Sequence, residues 1–317
     1  MQPSPLTPHA QTTPLLQREG AGGGSAIATI GFFDGVHCGH LCLIRQLLEE
    51  ARQRHAWSLL ITFDRHPRSI FAPDTVPSLL TTTQEKLALL RATGVDDIHV
   101  LHFDHAMANL TASQFMRHVL HDQLHVQTLV IGYDHHFGRP QGERFEDYKA
   151  IGLRMGIDVV LARAYDGQHI SSSAIRRALN VGDVGTANLL LGRPYTWTGN
   201  VVHGHGIGRQ LGFPTANLQA ITPDKILPAA GVYAVEVTGL DMPRAAMLNI
   251  GRRPTLDNGQ DITVEAHLFD YDEDLYGRNL TLSFIARLRD EHCFDSEADL
   301  VRQLQEDKRR ILSLFKT

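Results

Sequence analysis

Between residues 26 and 162, five short apolar runs alternate with stretches of helical periodicity, and that alternation limits the fold more than any other feature of the chain. The runs are 28–33, 58–63, 97–103, 128–132 and 157–162. After the first, Leu41, Ile44, Leu47, Leu48 and Ala51 fall on one helical face. Thr82 with Glu85, and Thr111 with Gln114, have the spacing of a capping box, and Gly94 is a helix stop. A further helix is expected from near Ser172. Strands separated by helices of about 10 to 15 residues predict βαβ units and a doubly wound parallel sheet. Ligands of such sheets sit beyond the carboxyl ends of the strands. The loops after Phe33, Phe63, Gly132 and Ala162 are therefore the candidate sites.

After about residue 190 the rhythm changes. Strand-like runs at 195–203, 231–238, 245–250, 262–269 and 279–288 are separated by Gly, Pro, Asn and Asp clusters. Many short strands with turns predict a small antiparallel β-barrel. A C-terminal helix with Leu300, Leu304, Ile311 and Phe315 follows, with Ser296 as its cap. Residues 1–24, rich in Pro and Gly, read as a flexible tail. The expected organisation is thus a tail (1–24), an α/β domain (25–186) and a barrel domain (187–317), and 317 residues suit two domains.

Charge narrows the partners. Thirty Lys and Arg stand against 35 Asp and Glu, and the densest basic cluster is only Lys308, Arg309 and Arg310. No nucleic-acid-binding stripe is expected. No apolar run approaches the length of a membrane span, and the first residues lack the apolar centre of a secretory signal. Three cysteines, Cys38, Cys42 and Cys293, form neither a zinc pattern nor a disulfide framework, so a reducing cytoplasm is the expected compartment. Oligomeric state is not legible from one chain.

The first strand runs into G-F-F-D-G-V-H-C-G-H, residues 31–40. A strand, a glycine bend and a helix start aim free N–H groups and a positive helix end at an anion. One helical turn brings His37 and His40 to a common face, and Gly39 allows close backbone approach. Two histidines packed at a helix start are the plainer reading of H-x-G-H taken alone. The whole segment resembles the signature of the cytidylyltransferase-like superfamily, and within it the bacterial FAD synthetases, with a Rossmann-like sheet. The resemblance implies AMP transfer from ATP to FMN, with His37 and His40 on the ATP phosphates and Gly31, Phe33, Asp34 and Gly39 beside them. T-F-D-R-H-P, residues 62–67, is similar to the family's T-F-x-P-H-P and implies flavin-side or metal-side roles for Asp64 and His66, with Arg65 replacing a proline. G-Y-D-H-H-F-G, residues 132–138, implies flavin or nucleotide contacts for Asp134 and Phe137, with His135 where an aromatic is usual. I-S-S-S-A-I-R, residues 170–176, implies a second anion cradle from Ser171, Ser172, Ser173 and Arg176. A serine triplet alone is simply a helix cap. No G-x-x-x-x-G-K-[ST] occurs, so a P-loop is not how ATP is held.

Residues 192–217 carry Gly204, Gly206 and Gly208 in alternation, then Arg209 and G-F-P-T-A-N. Glycine alternation alone marks flexible turns. With its neighbours the segment resembles bacterial and eukaryotic riboflavin kinases. The resemblance implies that Gly204, Gly208 and Arg209 bind ATP and that Thr215 and Asn217 hold Mg²⁺ with it. A hydroxyl and an amide carbonyl are the hard oxygen ligands that Mg²⁺ takes. In T-V-E-A-H-L-F-D, residues 263–270, strand alternation puts Glu265 and His267 on one face. Glu265 matches the family's catalytic base, and Arg289 in R-L-R-D-E its flavin-side loop. N-I-G-x-R-P-T, residues 249–255, is a further match.

Two signature sets in this order predict a bifunctional flavin-forming enzyme. Its substrates and products are riboflavin, FMN, FAD and ATP, with Mg²⁺ as cofactor. A nucleotidyltransferase with another acceptor, a flavin-binding regulator without turnover, and a nucleic-acid binder are the competing expectations.

Overall fold

The structure is a computed structural model that describes residues 25–132, 137–139, 142–165, 170–204, 212–254 and 260–315. The chain divides into two units. The first holds residues up to Pro77 and Thr81–Ile170; the second holds Ser78–Leu80 and everything from Ser171.

Among the described residues of the first unit, five strands form one parallel sheet in the order β3-β2-β1-β4-β5. They are β1 (Ala26–Ile30), β2 (Trp57–Phe63), β3 (Asp97–Leu101), β4 (Val126–Ile131) and β5 (Asp158–Leu161). β1 is buried along its whole length, as a central strand covered on both faces must be. Its side chains alternate between two cores. Ala28 and Ile30 join Leu59, Ile61, Leu129 and Ile131, whereas Ile27 joins Val130, Leu47 and Ala51. Helix α1 (Cys38–Gln53) buries Ile44, Leu47 and Ala51, and α2 (Thr83–Arg91) carries the full Thr82–Glu85 capping box. A third helix, α3 (Phe145–Leu153), precedes β5. The strand order reverses beside β1, which opens a crevice beyond its carboxyl end.

The second unit is a closed antiparallel barrel in the order β10-β7-β6-β11-β8-β9. Its strands are β6 (Tyr195–Val202), β7 (Ala216–Ala220), β8 (Gly231–Thr238), β9 (Arg244–Pro254), β10 (Gln260–Leu268) and β11 (Asn279–Arg289). β6 alternates strictly, with Tyr195, Trp197 and Val201 inward. Register shifts in β11 against β8 supply the curvature that closure needs. The pairing of β9 with β10 completes the ring and leaves no open sheet edge among its described residues.

Two helices of this unit, α4 (Ser172–Asn180) and α5 (Val184–Leu191), bury Ile175, Leu179, Val184 and Leu191 in the barrel's core beside Trp197 and Phe284. The sequence boundary at 186/187 falls inside α5. The helix expected from near Ser172 is α4, α5 has no counterpart among the expected elements, and the apolar faces of both pack on barrel strands. The C-terminal α6 (Glu297–Leu314) is capped by Ser296, which accepts the Asp299 N–H at 3.2 Å. Through Ile311 it covers an outer patch of Val232, Ala234, Met247 and Phe269. The strand β7 has no counterpart among the apolar runs, because Ala216–Ala220 contains a single large apolar residue, Leu218.

Candidate active sites

The chain leaves β1 and turns through residues 31–36 before α1 begins. The Gly31 N–H still donates to Ile61 O at 3.0 Å, so the turn starts in line with the strand. Phe33 (φ 54°), Gly35 (φ 80°) and Val36 (φ 41°) then adopt left-handed backbone. For Val36, which is β-branched, this is strained. Phe33 and Val36 accept it because both are buried against Ile44, Leu60 and Leu90. Asp34 lies beneath the turn and is also buried. Its Oδ1 accepts the Thr81 N–H at 3.0 Å and the Thr81 hydroxyl at 3.2 Å, and that hydroxyl accepts the Gly35 N–H at 3.0 Å. Asp34 therefore shapes the turn from below.

His37 is the N-cap of α1. Its Nδ1 accepts the His40 N–H at 3.3 Å, so a neutral His37 carries its proton on Nε2. The two imidazoles stack with centroids 3.6 Å apart and planes 15° apart, and Phe33 meets His40 edge-on at 5.1 Å. A Cβ on Gly39 would stand 3.2 Å from the His37 ring, so a bare residue keeps the pair in place. The first turn of α1 holds no acidic side chain to neutralise its positive end.

At the same sheet edge lies a cleft of about 1000 Å³. Phe32, Phe63, Phe71, Phe103, Phe115 and Phe137 line it, with His66, Arg68 and Arg139 as polar members. His66 packs edge-on against Phe32 at 4.8 Å, while its Nδ1 accepts the Arg68 N–H at 3.0 Å. The Arg139 guanidinium lies 4.6 Å over the Phe71 ring. Phe137 stacks on Tyr148 at 4.4 Å and brackets its hydroxyl, which receives the Phe137 N–H and donates to the Phe137 carbonyl. Asp64 ties strand ends together: it accepts the Phe103 N–H at 3.0 Å and meets His102 Nδ1 at 2.6 Å. Burial works against its charge, but the Phe103 N–H, His102 and Arg65 outweigh that and hold its carboxyl below the usual range. Asp134 and His135 lie outside the described residues.

Ser171 is the N-cap of α4 and accepts the Ala174 N–H at 3.3 Å; Ser172 and Ser173 open the helix. The Arg176 Nε donates to Ser78 O at 2.6 Å. These residues belong to the second unit.

In the barrel, Glu265 on β10 stands opposite Asn217 on β7 and Asn249 on β9. Val264, Ala266 and Leu268 face the barrel core, so Glu265 and His267 face outward together. The space beside Asn217 exists because residue 204 is glycine: a Cβ there would collide with the Asn217 side-chain amide. His267 is buried, and its Nδ1 donates to Pro214 O at 2.8 Å, which anchors the residue before Thr215. Burial pushes the His267 pKa down, which keeps the ring neutral. Asn249 Nδ2 donates to Glu291 Oε1 at 3.0 Å. Arg289 is engaged with buried Asp307 of α6, at 2.9 Å from both Nε and Nη2. Gly206, Gly208, Arg209 and Thr255 lie outside the described residues.

The FAD synthetase family model matches residues 22–174 and the riboflavin kinase model residues 191–315. An Escherichia coli K12 protein named bifunctional riboflavin kinase/FMN adenylyltransferase is 39% identical over 285 residues, covering 89% of this chain and 90% of the relative. The chain belongs to the bifunctional riboflavin kinase/FMN adenylyltransferase family. A Bacillus subtilis member is 32% identical over 92% of both chains. A crystal structure from Streptococcus pneumoniae, described as a macrolide-efflux protein, is also similar. It has a TM-score of 0.82 and 32% identity over 90% of this chain and 93% of that one.

For a member of this riboflavin kinase/FMN adenylyltransferase family, several site-shaping residues carry no motif signal. Thr81 holds Asp34, His102 holds Asp64, and Glu291 holds Asn249. Each is distant in sequence from the residue it orients. Lys86, one residue past a capping-box Glu, carries no motif signal either and is 2% exposed.

Proposed function

We propose that the barrel phosphorylates riboflavin with ATP to give FMN, and that the parallel-sheet unit transfers AMP from ATP to FMN to give FAD and pyrophosphate. The observation that carries this reading is the pairing of two chemically distinct sites, each on its own unit and each under its own family match.

In the sheet unit, the stacked His37 and His40 at the open end of α1 offer N–H donors to polyphosphate oxygens. The FMN phosphate oxygen attacks the α-phosphorus, and the bond to the pyrophosphate oxygen breaks. Positioning and charge stabilisation supply the catalysis, and no covalent enzyme intermediate is needed. The phenylalanine-lined cleft suits the flavin ring, whose faces stack on aromatics. His66 sits on its wall, and Arg68 and Arg139 offer cations to an anionic substituent.

In the barrel, Glu265 accepts the proton of the ribityl 5′-hydroxyl as its oxygen attacks the γ-phosphorus and ADP leaves. Asn217, opposite Glu265, and Thr215 two residues before it supply hard oxygens, and the bare Gly204 leaves room for the Asn217 amide. The donor set fits Mg²⁺, which would be held by Thr215 and Asn217 together with ATP phosphates and would neutralise phosphate charge.

A chromatographic time course with riboflavin, Mg²⁺ and excess ATP tests the reading. FMN should appear first and FAD after it. FMN without FAD would remove the adenylyl step, and no product from either riboflavin or FMN would leave a flavin-binding protein.

A further inference from the structure

Lys86 is a buried cation that neither reaction step uses. It projects from α2, is 2% exposed, and donates from Nζ to Phe63 O at 2.7 Å. The same ammonium lies 4.3 Å from the centroid of the Phe32 ring. Phe32 follows β1 and Phe63 ends β2, and both line the aromatic cleft. One amine therefore grips a ring from one strand end and a backbone carbonyl from the next. A buried amine is unfavourable unless its donors and charge are compensated, so a plain structural position would more simply hold leucine or methionine. Here the compensation comes from the two cleft-lining segments themselves, with Asp34 and Asp64 as the nearby carboxylates.

We propose that Lys86 is a positioning residue of the adenylyl-transfer site, clamping Phe32 and Phe63 into one aromatic wall and so setting how tightly the FMN ring is held. This rests on the reading of the cleft as the flavin acceptor site. The cation–π contact fixes the tilt of Phe32. The hydrogen bond fixes the exit of β2, from which Asp64 and His66 continue. Both act on flavin affinity rather than on the reacting phosphorus.

The test uses the full-length chain with FMN, ATP and Mg²⁺. Lys86→Met should raise the KM for FMN up to about thirtyfold, the factor that a desolvated cation–π contact of about 2 kcal/mol is worth, with kcat and the KM for ATP little changed. A titration of FMN fluorescence should show the same loss without turnover. Lys86→Arg, which keeps the charge and a donor, should recover part of it. An unchanged KM for ATP in the adenylyl step reports that the sheet unit, which carries Lys86, is folded. If Lys86→Met destabilises the chain, a cycle with Phe32→Leu decides the point: clamped partners give strongly non-additive FMN affinities, and independent ones add. An unchanged KM for FMN, a loss confined to kcat, or additive effects would each overturn the proposal. A wild-type chain that forms no FAD would instead defeat the adenylyltransferase reading.

Discussion

Arg289 and Asp307 form a two-contact ion pair between the end of β11 and the middle of α6, with Nε and Nη2 both 2.9 Å from one carboxylate oxygen. Asp307 is fully buried, and Gln303 donates to its other oxygen at 3.0 Å. The guanidinium that family resemblance places on the flavin side thus also bolts α6 onto the barrel. Asp307→Leu removes both of these contacts from the guanidinium and should cost about 3 kcal/mol of barrel stability. Urea unfolding followed by Trp197 fluorescence measures it, and an unmoved midpoint contradicts the role.

Glu265→Gln keeps the size of the side chain but cannot take a proton. Riboflavin phosphorylation should fall roughly 100- to 10,000-fold, while FAD formation from supplied FMN stays at the wild-type rate. A loss smaller than tenfold would assign the base elsewhere.

Gly204→Ala puts a methyl group on the Asn217 amide. The KM for ATP in the kinase step should rise steeply, and adenylyl transfer should not change. Equal ATP affinity in the variant would mean that Asn217 is not on the nucleotide side.

Lys86 gives a pH signature of stability. Burial pulls its pKa from 10.5 down to about 8, against the attraction of Asp34 and Asp64. The unfolded chain keeps that proton to higher pH than the folded one. Between about pH 8 and 10.5 the unfolded state binds more protons, so the free energy of unfolding rises with pH through that window. Relative to Lys86→Met, the gain is on the order of 3 kcal/mol. Trp57 fluorescence in a Trp197→Phe background would follow it during urea unfolding. A constant difference between the two proteins across the window contradicts the assignment.

Much of this was legible in the chain because period and motif coincide. The buried run Ala26–Ile30, the capping pairs at Thr82 and Thr111, and the H-x-G-H turn are local patterns, and the structure uses them locally. The stacking of His37 on His40 follows from their spacing at a helix start. The pairing of Glu265 with Asn217 does not, since it depends on a strand, Ala216–Ala220, with little apolar signal of its own. Asp34 shows the same limit. The motif places it beside phosphate, but Thr81, 47 positions away, decides which way its carboxylate faces. The aromatic cleft was equally hidden, because Phe32, Phe71 and Phe103 sit in segments far apart in sequence and meet only when the sheet forms. The helix expected from near Ser172 forms as α4, but periodicity does not encode its partner, the barrel core.

Val36, at φ 41° and 1% exposed, gives the loop before α1 a mechanical character. A β-branched residue in left-handed backbone raises the energy of the folded chain, and Val36→Gly would relieve it. Valine cannot wander from that conformation once its side chain is packed, whereas glycine could. The strain is taken up once, when the chain folds, and not at each catalytic cycle. The turn that carries the chain from β1 to the stacked His37 and His40 is therefore already formed before any ligand arrives.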